Sequence, residues 1–195
     1  MRASLIGLFF FVAVVAACAS TGMGGAGGEA FAPNRLAREP GWTGTPGVPV
    51  LRQTRELDCG PVAAAMLLGF WGRPVAPDAL RAEAKIQPQH GLPAGELRDL
   101  LRARGLSAYL VEGAIDDLEH ELAAGRPVLV GLAKPFNDKQ ALGHYEIVAG
   151  LNRKAEKVAT VDPGGGWREY PLKVFMAEWD PTKRLTIIAG PTGNR

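Results

Sequence analysis

The chain has 195 residues, 47% of them apolar, and 22 lysines and arginines stand against 20 acids. That length suits one domain of ordinary size plus an appendage, and the scattered, nearly balanced charge lacks the basic stripe of a nucleic-acid partner. Two cysteines and three histidines, with no Cys-x-x-Cys or His-x-x-x-His spacing, give a zinc site no support.

Residues 1–17 read as a targeting segment. Arg2 supplies a short positive region, and Leu5 to Val15 is an almost unbroken apolar stretch ending in Ala16, Ala17 and Cys18. A signal-peptide core needs about 7–15 residues and a spanning helix about 20. The tetrad Val15-Ala16-Ala17-Cys18 resembles the lipobox of bacterial lipoproteins, which implies that Cys18 becomes the lipidated first residue of the mature chain. Ala19 behind it is similar to the sorting residue of lipoproteins destined for the outer membrane. The alternative is a plain secretory signal with an incidental cysteine. If Cys18 carries lipid, Cys59 has no disulfide partner, and an unpaired thiol in an oxidising compartment is unusual unless it is used.

Residues 18–46 are rich in Gly, Ala, Ser, Thr and Pro without a hydrophobic period, so they are expected to form a flexible tether. The folded domain is expected over 47–191. Asp58 is placed to cap a helix whose first turn holds Cys59 and Pro61 and which stops at Gly72. A short helix follows over Asp78 to Ala84. "PAGELRDLLRARG" predicts a third helix with Leu97, Leu100 and Leu101 on one face and Gly105 as its stop. "SAYLV" then reads as a strand and "IDDLEHELAAG" as a helix. "PVLVGLA", "HYEIVAGL", "KVATVD" and "RLTIIAG" read as strands, with a short helix "PLKVFMAEW" between the last two. Helices first and strands afterwards indicate an α+β domain, with N-terminal helices packed on a C-terminal antiparallel sheet.

Cys59 at a helix N-terminus is placed where unpaired N–H groups favour an anion. A thiol also needs a base, and His144, at the entrance of the strand "HYEIVAGL", is the best candidate. Asp162, at the end of "KVATVD", reaches the imidazole if the two strands are neighbours, and would fix its tautomer. Gln53, six residues before Cys59, offers an amide N–H to an oxyanion beside the backbone N–H of Cys59. Each residue also has a plainer reading: an inert buried thiol, a satisfied strand histidine, a turn-forming aspartate before Pro163, a surface glutamine. His120 reads as a solvated helix-face residue and His90 as a loop residue, although it is the one rival base. Phe175 and Trp179 suit core packing, and the loop 134–143 is read as bordering the cleft or as simply solvated.

The order Gln53, Cys59, His144, Asp162 resembles the bacteriocin-processing cysteine peptidases, papain-like domains that remove double-glycine leaders from exported peptides. "DCGPVAAAMLLGFWG", "GLPAGELRDLLRARGLSAYLV", "GRPVLVGL…GHYEIVAGL…VATVDPGGG" and "FMAEWDPTKRLTII" carry the likeness over about residues 48–190. The resemblance implies a papain-like fold with Cys59 as nucleophile, His144 as general base, Asp162 as orienting acid and Gln53 as oxyanion donor. It implies no metal or organic cofactor. The expected product is a monomeric, lipid-anchored cysteine peptidase on the outer membrane, facing the periplasm and cutting a secreted or periplasmic protein, with cleavage after small or Gly-Gly residues as the first guess. Many family members are domains of peptide-exporting transporters, whereas this domain is expected to stand alone, and that leaves the double-glycine preference open. Two other readings stand beside it: a cell-wall endopeptidase cutting peptidoglycan stem peptides, and a non-catalytic domain that binds an export substrate.

Overall fold

The structure, a computed structural model, describes residues 28–88, 91–137 and 140–192. The targeting segment, Cys18 and His90 lie outside these residues. Among the described residues no helix is long and apolar enough to cross a membrane.

The described chain is α+β, as the pattern predicts. Helix α2 (Cys59–Phe70) is followed by α3 (Pro77–Glu83) and α4 (Ala94–Ala103). Strand β3 (Leu106–Glu112), helix α5 (Ile115–Ala123) and strands β4 (Val128–Asn137), β5 (Gln140–Asn152), β6 (Lys157–Asp162) and β7 (Gly166–Pro171) come next. Helix α6 (Leu172–Trp179) and β8 (Leu185–Pro191) complete the domain. The strands pair antiparallel in one sheet. Gly72 and Gly105 end α2 and α4 with φ of +71° and +79°, a conformation that costs glycine little.

The helices do not all lie on one side. Alternation along the strands sends Leu129, Ile147, Ala159 and Val161 towards Val62–Leu68 of α2 and Leu97 and Leu101 of α4. It sends Val130, Leu132, Val148 and Val158 to the opposite face, under Leu118 and Leu122 of α5 and Phe175 and Trp179 of α6. Both faces are thereby buried, which explains why β4 and β6 read as continuous apolar runs rather than as clean alternation.

Three expectations are corrected. The tether expected over 18–46 is laid onto the fold from residue 28: β1 (Glu29–Ala30) pairs with β7, and β2 (Thr43–Gly44) pairs with β5. A short helix, α1 (Arg35–Arg38), lies between them. Phe31 and Leu36 are buried, and the Phe31 ring packs on Trp42 and Trp167. These apolar residues are widely spaced among Gly and Pro, so they show no period. The loop expected over 134–143 is mostly ladder, with Lys134 opposite Leu142 and Leu132 opposite His144. Asp58 precedes α2 but makes no side-chain cap; its carboxylate pairs with Arg81 and, at 3.3 Å, with Arg55.

Phe175 is fully buried, with its ring 5.2 Å from that of Trp179 under the β4–β6 face. Phe175→Ala should lower unfolding free energy by about 3–5 kcal/mol, the usual cost of a large aromatic lost from a core. Denaturant titration would read this; a loss below about 1 kcal/mol would mean that α6 does not anchor that face.

Candidate active site

The first residue of α2 is Cys59, 6% exposed and the free cysteine among the described residues. Its own N–H and that of Gly60 belong to the helix's first turn, where no intrahelical acceptor exists. That turn is held by a close approach. A Cβ on Gly60 would lie 3.0 Å from the Cβ of Leu92 and 3.5 Å from the Tyr145 ring, so a side chain there would crowd Leu92. Tyr145 in turn donates its hydroxyl to the Leu92 carbonyl at 2.9 Å. Sequence reasoning passed over Tyr145; its place next to His144 on β5, facing α2, is visible only once the strand is paired.

β5 and β6 are neighbours, with Ile147 opposite Val161. That pairing brings His144, inside β5 rather than at its entrance, to Asp162 at the end of β6: the ring Nε2 lies 2.7 Å from Asp162 Oδ1. Cys59 acts on the same imidazole, raising its affinity for a proton. Helix α2 and strands β5 and β6 thus bring Cys59, His144 and Asp162 to one place, with the hydrogen bond lying between the ring and the carboxylate.

The electrostatics favour a charged ring. Burial works against the imidazolium, but the hydrogen bonds to Asp162 and Cys59 outweigh it and push His144 up to about 10. Burial likewise opposes ionisation of Asp162. The His144 hydrogen bond and charge, and the Gly164 N–H donated to Oδ1 at 2.7 Å, win and hold its carboxyl below the ordinary carboxylate range. An imidazolium held this way is the natural counter-ion of a thiolate.

Gln53 is stitched to the turn after Asp162. Its backbone N–H donates to the Pro163 carbonyl at 2.9 Å, and the neighbouring Arg52 donates to Gly164 O at 3.1 Å. Its amide Nε2 donates to the carbonyls of Arg55 and Glu56 at 3.3 and 3.5 Å, and Oε1 is buried without a partner. The segment is thus tied to the aspartate turn, while the amide is spent on the loop that leads into α2. His120 is exposed on α5, apart from the site.

Among the described residues, one group has the chemistry of a metal site: the polar atoms of His144, Glu146 and Asp162 lie within 4.8 Å of one another. Glu146 is already bound, to Lys134 at 2.7 Å and to the Thr160 hydroxyl at 2.5 Å, so the group is occupied by an ammonium rather than shaped for a cation. Neither Glu146 nor Lys134 was singled out from the sequence.

The profile of the peptidase C39 family matches residues 47–191. Among solved structures, the chain is similar to a double-glycine motif protease of an AMS/PCAT transporter in complex with the leader peptide. Identity is 23% and the TM-score 0.60, over 74% of this chain and 92% of that one. It is also similar to the peptidase domain of Streptococcus ComA, a bi-functional ABC transporter involved in quorum sensing, at 21% identity and a TM-score of 0.63, covering 74% and 99% of the two chains. The peptidase domain of Streptococcus mutans ComA follows at 19% identity and a TM-score of 0.53, covering 73% and 98%. No curated protein matches.

Proposed function

Since this chain belongs to the peptidase C39 family, a family of cysteine peptidases, we propose that it hydrolyses peptide bonds through Cys59, His144 and Asp162. The observation that carries this reading is the His144–Asp162 hydrogen bond, 2.7 Å from ring Nε2 to Oδ1, on the ring whose proton affinity Cys59 also raises.

In this mechanism the thiol proton resides on His144 and the thiolate of Cys59 attacks the scissile carbonyl carbon. The carbonyl electron pair moves to oxygen, where the N–H groups at the start of α2 stabilise it. The tetrahedral species collapses as the amine leaves with the proton from His144, and a thioester to Cys59 remains. Water, deprotonated by the now neutral ring, attacks the thioester; the acid departs and the thiolate returns, with His144 again protonated. Asp162 keeps the ring oriented throughout. The part assigned to Gln53 requires its amide Nε2, now bonded to the carbonyls of Arg55 and Glu56, to give up one of them for the oxyanion.

The substrate is proposed to be a peptide or protein in transit outside the cytosol, and the chain is proposed to sit on the outer membrane through lipid on Cys18, facing the periplasm. Support comes from the lipobox-like tetrad in the sequence and from the leader peptide bound by one similar structure. A peptide library incubated with the purified domain tests the reaction: cuts after small residues, Gly-Gly among them, are expected. Activity confined to purified peptidoglycan would replace this reading with the cell-wall one. For the anchor, wild-type protein should fractionate with membranes and Cys18→Ser should not; wild type found wholly in the soluble periplasm would remove the lipid.

A further inference from the structure

The reaction as derived leaves unused a buried ionic cluster on the α6 side of the imidazole. Lys134 of β4, 6% exposed, donates to Glu146 of β5 at 2.7 Å, to Glu178 of α6 at 2.5 Å and to the Tyr170 hydroxyl of β7 at 3.1 Å. Its ammonium also lies 4.4 Å from the centre of the Tyr170 ring. Glu146 is fully buried: one oxygen accepts from Thr160 at 2.5 Å, and the other takes Tyr170 at 3.3 Å as well as Lys134. Glu146 follows His144 by two residues and so shares its face of β5. With Ile147 opposite Val161, it also stands across the ladder from Asp162. The 4.8 Å grouping of His144, Glu146 and Asp162 means that the ring lies among two carboxylates rather than one.

Such a cluster is a poor device for stability alone, because desolvating its charges offsets most of their attraction and apolar residues of the same volume would pack as well. Its position gives it another use. We propose that Glu146 is a positioning residue of the site: a second carboxylate, fixed by Lys134, Thr160 and Tyr170, that acts through His144 by holding the ring's proton without touching the ring. This rests on the reading of His144 as the general base. Asp162 supplies the hydrogen bond and the orientation, and Glu146 supplies charge only. Lys134, 2.7 Å away, gives Glu146 a buried partner and keeps that carboxylate from swinging onto the ring and displacing Asp162.

The groups around the ring are Cys59 from α2, Asp162 from β6, Glu146 from β5, Lys134 from β4, Tyr170 from β7 and Glu178 from α6, with Tyr145 on the α2 side. After burial, which lowers it, the affinity of His144 for its proton is raised by Asp162, by Cys59 and then by Glu146. Burial raises the carboxyl of Glu178 in spite of Lys134.

The test is a pH titration of His144 by NMR on histidine-labelled full-length protein, its signal assigned by loss in His144→Gln, with pH profiles of kcat/KM alongside. Glu146→Gln keeps volume and leaves Lys134 paired with Glu178. It should lower the His144 midpoint by at least about one pH unit, as removal of a unit charge at this range implies. The alkaline limb of kcat/KM should fall with it, while KM hardly changes. Glu178→Gln, outside the 4.8 Å group, should move the midpoint less. A folded Glu146→Gln protein with an unmoved midpoint overturns the proposal, since a merely structural role would cost stability and leave the titration alone. Should that variant not fold, Glu146→Met, which fills a similar volume without a charge, decides by the same readout: a lowered midpoint is expected, and an unmoved one overturns the proposal. A chain that cuts no peptide yet shows the downward shift loses the peptidase reading and the catalytic use of Glu146 with it, keeping only the coupling of Glu146 to His144; an active enzyme with no shift keeps the peptidase reading and loses this proposal.

Discussion

Cys59→Ala and His144→Ala should each lower kcat by about 10⁴–10⁶, and the double variant should be no slower than either alone. The reason is the order of events. The ring can protonate a leaving amine only if a thiolate has already attacked, and the thiol attacks only when the ring has taken its proton. Once one member is gone, the other has nothing left to do. The coupling is tight because the ring held by Asp162 is the same one whose proton affinity Cys59 raises. Single-turnover assays on a peptide identified from the library would give the three rates. If the two losses multiplied in the double variant, the residues would be acting in separate steps. Retention of wild-type rate by Cys59→Ala would remove the nucleophile altogether and leave a peptide-binding domain. Both variants should fold, since neither side chain fills a large part of the core and Cys59 forms no disulfide.

The site was legible in the sequence to the extent that each piece sits at an element boundary. Cys59 opens a helix, His144 begins the apolar part of β5 although the strand itself starts at Gln140, and Asp162 closes "KVATVD", with β-branched residues on one side and Pro163 on the other. What escaped was decided by partners far along the chain. Lys134, in "AKPFND", looks like a solvated charge; it is buried because Glu178, 44 residues later, and Glu146 converge on it. β7, "GWREYP", alternates charge and aromatics after a Gly-rich turn and so reads as loop, yet it pairs with β6 along its whole length. Phe31 and Leu36 are isolated apolar residues in a Gly- and Pro-rich stretch, and only the edge of the sheet gives them something to pack on. Asp58 has the right residue type for a cap, but Arg81 offers its carboxylate a full charge in place of a backbone N–H.

Asp162→Ala should lower kcat by about 10²–10⁴, the range seen when the orienting acid of a triad is disabled. Asp162→Asn should cost less. Oδ1 of Asp162 accepts both from His144 and from the Gly164 N–H, at 2.7 Å each. Two donors converge there, so an asparagine must present its carbonyl oxygen at that place and turn its NH₂ away. The ring then keeps its acceptor, its tautomer and its orientation, and only the negative charge is lost. The hydrogen bond to Asp162 is among the interactions that push His144 up to about 10, and a neutral acceptor makes it weaker. Without the charge the imidazolium gives up its proton at lower pH, and the alkaline limb of kcat/KM should move down from that value. Below the new midpoint the asparagine variant should approach wild-type geometry and keep most of its rate, whereas the alanine variant should stay slow at every pH. Rates equal to wild type in Asp162→Ala would mean that the ring is oriented by something other than the aspartate. An alkaline limb unmoved in Asp162→Asn would mean that Asp162 acts by its hydrogen bond alone.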